Sequence, residues 1–223
     1  MPIKLGIILT FTVLFGMALT IHAQRRSIPN LFDAGLVIGI NSSQINGDYL
    51  SGYDKTGFLV GFRVEARFNN SSGLAMEMLF NRKGSRDPNQ FVPGSDQQRF
   101  ISMNYVEIPI LYHKRVEAKI GLISIEGGVS YARLFGTNIN ENANSINYDG
   151  FTDIQNEFKN NDLSLLLGGG IYFNEHLRMI GRFAYSLTLF YKNEEPEIIP
   201  LDVIPEINKL RNVQLALGMN YIF

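Results

Sequence analysis

Six charged residues at alternating positions have the clearest capacity for chemistry in this sequence. Each lies opposite apolar neighbours, and the six are Arg63, Arg67, Glu77, Glu107, Glu126 and Arg182. Guanidinium and carboxylate groups form strong charge-assisted hydrogen bonds, and they also line conductive paths. Which use applies depends on the width of the interior that contains them, and therefore on the fold.

Catalytic chemistry has few candidates in this chain. A Ser-His-acid hydrolase needs a histidine as its base, and past the N-terminal segment only His113 and His176 remain. Both lie at or beside predicted turns of different hairpins, with no Gly-x-Ser-x-Gly elbow nearby, so we interpret them as turn or interface residues. We predict no catalytic residue and no enzymatic activity.

Metal and cofactor sites are equally poorly supported. There is no cysteine, and two distant histidines offer no ligand spacing for a metal. The Asn and Asp residues between positions 138 and 153 could bind calcium, but they lack the EF-hand spacing, which favours a solvated loop. The glycine run 168–170 has no following helix or Lys-Ser/Thr of a phosphate loop, and small residues inside a narrow barrel explain it. We predict no metal and no cofactor.

The charges are carried by segments with the two-residue period of β-strands. From Gly57 to Phe68 one face is apolar, while the other carries Arg63, Glu65 and Arg67. The alternation recurs in seven further segments: Leu31–Ser43, Gly73–Arg82, Asn104–His113, Lys119–Phe135, Asp162–Phe173, Leu177–Phe190 and Asn212–Phe223. Pro109 cannot donate to a strand ladder, which predicts a bulge or weakened pairing at that position.

The last of these segments ends in a bare aromatic residue on its apolar face, which also includes Val213. Soluble sheets seldom end in this way, whereas the terminal strand of a transmembrane β-barrel must close the ring so that no edge is unpaired in lipid. We predict that Tyr221 and Phe223 form an assembly signal, with the barrel-assembly machinery as a partner. Deleting Phe223 should impair assembly far more than deletions in the long loops.

Connection lengths support a membrane barrel. Short joins at Asn69–Ser72, Arg115–Ala118 and Asn174–His176 alternate with long polar joins at Gln44–Thr56, Lys83–Arg99, Gly136–Asn161 and Tyr191–Arg211. A mean hydropathy of +0.00 is too polar for a helical membrane protein but suits an alternating barrel. The predicted fold is all-β: an eight-stranded antiparallel up-and-down transmembrane β-barrel with short periplasmic turns and long extracellular loops. A soluble barrel or sandwich is the alternative.

The N-terminus predicts export. Lys4 precedes an apolar run from Leu5 to Leu19, so we predict a signal peptide over residues 1–23, cleaved after Ala23, and a barrel domain over 24–223. An uncleaved anchor helix is the alternative, although the run is shorter than the ~20 residues that a span needs. The expected location is the cell outer membrane, with its lipid as a partner and a monomeric barrel as the state. A net charge of -1 without a long basic cluster excludes a typical nucleic-acid surface.

An eight-stranded barrel has an interior only wide enough for side chains. We therefore interpret the six charges as a lumen ion-pair plug and disfavour a conductive path. In the hairpin of the second and third strands, apolar residues face apolar ones when Phe62 pairs with Met78, which sets Arg63 opposite Glu77. Removing either charge should cost about 3 kcal/mol, and exchanging the two should recover much of the loss.

Several segments resemble the PorT-like outer-membrane β-barrel family. The most specific is Tyr105-Val106-Glu107-Ile108-Pro109, and the others are Gly39-Ile40-Asn41-Ser42-Ser43, Arg82-Lys83-Gly84, Gly168-Gly169-Gly170 and Asn220-Tyr221-Ile222-Phe223. The resemblance covers essentially the whole mature chain. It implies an eight-stranded barrel in a Gram-negative outer membrane, in a family partly linked to protein export, and it brings no catalytic residues.

Two functions remain open at this point. The first is a structural or interaction barrel, with a protein-export apparatus as a candidate partner. The second is a transporter or receptor for a small amphipathic ligand. An apolar, proline-punctuated run in the last long loop is predicted to fold back on the barrel rim, with a partner patch or ligand lid as the alternative. Its apolar residues are Ile198, Ile199, Leu201, Val203 and Ile204.

Overall fold

A computed structural model of the protein describes residues 31–48, 52–91, 98–119, 121–140, 154–192 and 209–223. The predicted signal peptide, residues 141–153 of the predicted solvated loop and the apolar run at 198–204 lie outside these residues. The strands are β1 (Phe32–Asn46), β2 (Lys55–Arg67), β3 (Ser72–Phe91), β4 (Gln98–Ala118), β5 (Gly121–Asn140), β6 (Asn161–Tyr172), β7 (Leu177–Ser186), β8 (Tyr191–Lys192) and β9 (Lys209–Ile222). In the described ranges, no helix is long and apolar enough to cross a membrane.

The strands form one closed antiparallel ring. Each strand from β1 to β6 pairs with the next strand in the sequence. β7 pairs with β9, and β9 pairs with β1. The two-residue β8 pairs only with the start of β9. Eight long strands therefore complete an up-and-down barrel, which confirms the predicted fold class.

The alternation in sequence becomes an outer apolar wall and an inner polar one. On β2, Phe62 is 59% exposed on the outside while Arg63 is 2% exposed on the inside. Exposed apolar side chains cover the outer wall on every long strand, as expected for a surface that contacts lipid. Val213 departs from this pattern, because it is buried although we predicted it on the exposed face with Leu215.

The two ends of the ring differ in their connections. At one end, which we call the turn end, the strands join through residues 68–71, 119–120 and 173–176, and β1 begins and β9 ends there. At the other end, which we call the loop end, β1, β3, β5 and β7 end and β2, β4, β6 and β9 begin. Two predicted boundaries were wrong: Arg115–Ala118 belongs to β4, and the predicted loop Lys83–Arg99 is largely strand, because β3 runs on to Phe91 and β4 begins at Gln98.

The predicted register of β2 and β3 is the one observed. Phe62 pairs with Met78 and Arg63 with Glu77. Pro109 has no partner in the β3–β4 ladder, although the register is the same on both sides of it. The predicted weakening of the pairing is therefore confirmed, and the alternative of a bulge is wrong. The irregularity between β4 and β5 lies elsewhere, at Asn104 and Tyr105.

Candidate functional site

The candidate site is a cluster of charged side chains inside the turn half of the barrel. Its centre is Arg63 on β2, whose guanidinium reaches carboxylates from three strands. Nε lies 2.6 Å from Oε1 of Glu65, Nη1 lies 2.5 Å from Oε1 of Glu77, and Nη2 lies 2.9 Å from Oε1 of Glu126. All four side chains are almost fully buried. One arginine therefore joins β2, β3 and β5 across the interior.

Two arginines of β7 complete the connection from the opposite wall. Arg182 donates to Glu77 at 2.8 Å and 2.9 Å, the two-pronged geometry that arginine forms best with carboxylates. Arg178, which is fully buried, lies 2.9 Å from Glu126 and 3.4 Å from Glu65. Every carboxylate at the centre thus has at least two cationic neighbours.

The cluster continues toward the turn end through Glu65. Arg115 on β4 donates to Glu65 at 3.1 Å, and its guanidinium also packs on the ring of Tyr172. His113 is buried beside it, with Nε2 3.5 Å from Glu65, a separation too long for a good hydrogen bond. We define the ion network by its charged members: Arg63, Glu65, Glu77, Arg115, Glu126, Arg178 and Arg182.

The structure brings four of the six predicted plug residues together and separates the other two. Arg63, Glu77, Glu126 and Arg182 belong to the ion network. Arg67 is 37% exposed at the turn end and pairs with Asp33 instead.

Glu107 lies in a second polar layer, nearer the loop end. It pairs with Lys83 at 3.0 Å and accepts from Asn81 at 2.7 Å. Asn81 is in turn bonded to Asn41 and Gln214, so β1, β3, β4 and β9 are linked at this level. A thin apolar cluster of Val37, Leu59, Leu79 and Ile180 separates this layer from the ion network.

Nearer the loop end than the second polar layer, buried apolar side chains pack together in the interior. We call this group the apolar layer: Ile45, Ile101, Met103, Tyr105, Ala132, Leu134, Phe158, Phe190, Tyr191 and Leu210. Phe158 and Phe190 pack edge to face with ring centroids 5.2 Å apart. They come from the chain segments before β6 and after β7, which therefore fold in over the barrel interior.

Several residues of the site were missed from the sequence. Lys83 was assigned to a loop because the strand pattern fades after Arg82. Arg178 was not among the six predicted plug residues, because its partners on distant strands could not be identified from the sequence. The glycine run could have pointed to Arg178. A Cβ atom on Gly170 would lie 3.0 Å from the Arg178 side chain, so the lack of a side chain at Gly170 leaves space for that arginine. The prediction that small residues in this run fit a crowded interior agrees with this contact.

The predicted histidine positions need one correction. His113 lies inside the barrel, because β4 continues five residues past it. His176 is at a turn as predicted, and its Nδ1 lies 2.8 Å from the carbonyl oxygen of Ile222. The described part of the chain has no group of three or more His, Cys, Asp or Glu residues that could hold a metal ion.

The proposed assembly residues lie on the seam where β9 meets β1. Tyr221 and Phe223 are exposed on the outer wall, with ring centroids 5.8 Å apart. The Phe223 amide donates to the carbonyl oxygen of Ala34, and Tyr221 stacks on His176. Their role in assembly remains a prediction.

Comparisons with known proteins identify a family. A family model described as "Outer membrane protein beta-barrel domain" matches residues 22–191. The chain is similar to the structure of Ail from Yersinia pestis in complex with the heparin analogue sucrose octasulfate, at 14% identity and a TM-score of 0.46, covering 86% of this chain and 99% of that one.

Two further structures are similar. Neisserial surface protein A matches at 11% identity and a TM-score of 0.43, covering 86% of this chain and 97% of that one. OprG from Pseudomonas aeruginosa matches at 13% identity and a TM-score of 0.39, covering 86% and 94%. Likeness at this level carries no information on function. No curated protein matches the sequence.

Proposed function

The chain belongs to the outer membrane protein beta-barrel domain family, and from that premise we propose that it is a non-enzymatic structural or interaction barrel whose lumen does not conduct solutes. One observation carries the proposal: the buried ion network joins β2, β3, β5 and β7 across the interior. A barrel of eight strands has little interior space beyond its side chains. The space inside is therefore used for stability.

The same observation argues against the transporter alternative. A solute passing the centre would have to separate arginines from carboxylates that are almost fully buried, and an uncompensated buried charge costs about 3–5 kcal/mol. The apolar layer is a second barrier at the loop end. Uptake of an amphipathic ligand into the lumen would need an opening that neither layer provides.

A partner would then meet the outer surfaces of the barrel. Because outer-membrane barrels have short periplasmic turns, the turn end faces the periplasm and the loop end faces the exterior. The narrower PorT-like assignment, and with it a link to protein export, remains part of our proposal. Its main motif lies in β4, where Tyr105 contributes to the apolar layer and Glu107 to the second polar layer.

Site-specific photo-crosslinking in cells tests the interaction function. A photoreactive residue replaces Asn70 or Glu175 at the turn end, Tyr53 or Asn156 at the loop end, and lipid-facing Leu165 as the control. We expect a discrete protein adduct from one end and none from position 165. Adducts containing export components would support the export link. The absence of protein adducts from both ends would contradict the interaction function.

A further inference from the structure

A basic cleft lies on the outer wall of the barrel at the loop end. It has a volume of about 750 Å³ and is bordered by the second half of β5, the segment before β6, the segment after β7, and the start of β9. It lies apart from the ion network, and its placement in the outer leaflet rests on the orientation proposed above.

The charged residues that line the cleft are all positive. Arg133, Lys159, Lys192 and Arg211 line it, and none of its described lining residues is acidic. Two carboxylates are next to lining residues in the described sequence: Asp162 is buried and bonded to Ser186 and Thr188, and Glu157 is exposed but does not line the cleft. Four cations and no carboxylate among the described lining residues produce a positive potential that attracts anions.

Tyrosines around the cleft indicate that it lies at the level where the lipid hydrocarbon meets the headgroups. Arg133 points outward two residues beyond Tyr131, and Arg211 packs on Tyr185 with 5.1 Å from its guanidinium carbon to the ring centroid. The hydroxyl of Tyr131 donates to Asn161 on the border of the cleft. Tyrosines in membrane proteins concentrate where hydrocarbon meets headgroups. The cations therefore lie at the headgroup level of the outer leaflet.

Backbone hydrogen bonds hold the walls of the cleft in place. The Lys159 amide donates to Phe190 at 2.6 Å, the Leu134 amide donates to Asn160 at 2.7 Å, and the Leu187 amide donates to Leu163 at 2.7 Å. The cleft is thus largely formed before a ligand binds, which lowers the entropic cost of binding.

We propose that this cleft binds a phosphate group of an outer-leaflet glycolipid. The cations match the phosphate, and the cleft is also lined by Leu187 and Leu189, of which Leu187 is exposed toward the lipid-facing wall. A lipid that carries phosphates next to its acyl chains satisfies both features, whereas a soluble polyanion would use only the charges. Lipid A, which carries phosphates beside its acyl chains, is the test ligand.

Native mass spectrometry of the folded, detergent-purified full chain measures the binding. Lipid A is titrated against the wild type and against the cleft variant Lys159→Gln/Lys192→Gln. Among the described residues, neither lysine side chain forms an ion pair or a hydrogen bond. The matched control, Lys114→Gln/Lys119→Gln, removes two exposed lysines at the turn end. Each cation near an anionic lipid contributes a factor of about five in affinity. We therefore expect a loss of roughly 25-fold in the cleft variant and little change in the control.

Three comparisons separate the sources of binding. Dephosphorylated lipid A should bind the wild type as weakly as lipid A binds the cleft variant, and heat-modifiable gel mobility should show that all variants are folded. Equal binding of the dephosphorylated lipid, or equal losses in both variants, would overturn the proposal. Tight binding of a sulfated oligosaccharide that lipid A does not displace would also overturn it, in favour of a soluble polyanion.

Discussion

The two halves of the barrel interior are filled by different kinds of interaction. At the turn end, the ion network depends on direction and pairing, because each carboxylate is satisfied by arginines from other strands. At the loop end, the apolar layer depends on volume, because its members exclude water without specific pairing. The network is built entirely from strands, whereas the apolar layer recruits chain segments between strands. A charge change should therefore act mainly at the turn end, and a loss of volume at the loop end.

The largest effect should come from reversing the central charge. Arg63→Glu would place a carboxylate beside Glu65 and Glu126, and we expect a loss of about 5 kcal/mol in the free energy of unfolding. The added Glu77→Arg exchange should not restore stability, because the introduced guanidinium would then face Arg182. The sequence alone had predicted that this exchange would recover much of the lost stability, because it treated Arg63 and Glu77 as an isolated pair. Urea unfolding in lipid vesicles checks it, and a double variant close to wild type would show that the pair acts alone.

Neutralising the same residue should cost less. Arg63→Met keeps much of the side-chain volume but leaves three carboxylates short of a partner, so we expect a loss of about 4 kcal/mol. The same urea titration measures it. A loss below about 1 kcal/mol would mean that the network adds little to stability.

The apolar layer should respond to volume alone. Phe190→Ala removes a buried ring that packs on Phe158, and we expect a loss of about 3 kcal/mol. Phe190→Leu, which keeps most of the volume, should lose less than about 1.5 kcal/mol. Equal losses in the two variants would contradict the assignment of this layer to volume.

The smallest effect should come from the periphery of the turn end. Arg67 is partly exposed and pairs with Asp33 outside the ion network. Because Asp33 is buried while Arg67 is partly exposed, the cost of removing Arg67 should lie between that of an exposed pair and that of a fully buried one, so Arg67→Met should lose about 2 kcal/mol. A loss as large as that of Arg63→Met, measured side by side, would make Arg67 a full member of the network.

The regular part of this architecture was predictable because it follows from a two-residue period. Alternation placed Arg63 and Glu77 on one face, and matching the apolar faces fixed their register. The ring closure followed from the need to pair every strand edge in lipid.

Other parts of the site were not predictable, because they depend on contacts across the barrel. The reach of Arg178 to Glu65 depends on barrel width and strand stagger, which a local pattern does not contain. Lys83 was missed because β3 continues to Phe91, past the point where the apolar alternation in the sequence ends. Phe158 and Phe190 were missed as a layer because they lie outside or at the margin of the regular strands.

The conductance of the purified barrel in planar lipid bilayers tests the central claim most directly. The claim is that the ion network alone is sufficient to block the lumen. The wild type should pass no resolvable current, and Phe158→Ala/Phe190→Ala should also remain closed because the ion network is intact. Stable ohmic current through the wild type, or through the folded Phe158→Ala/Phe190→Ala variant, would contradict it.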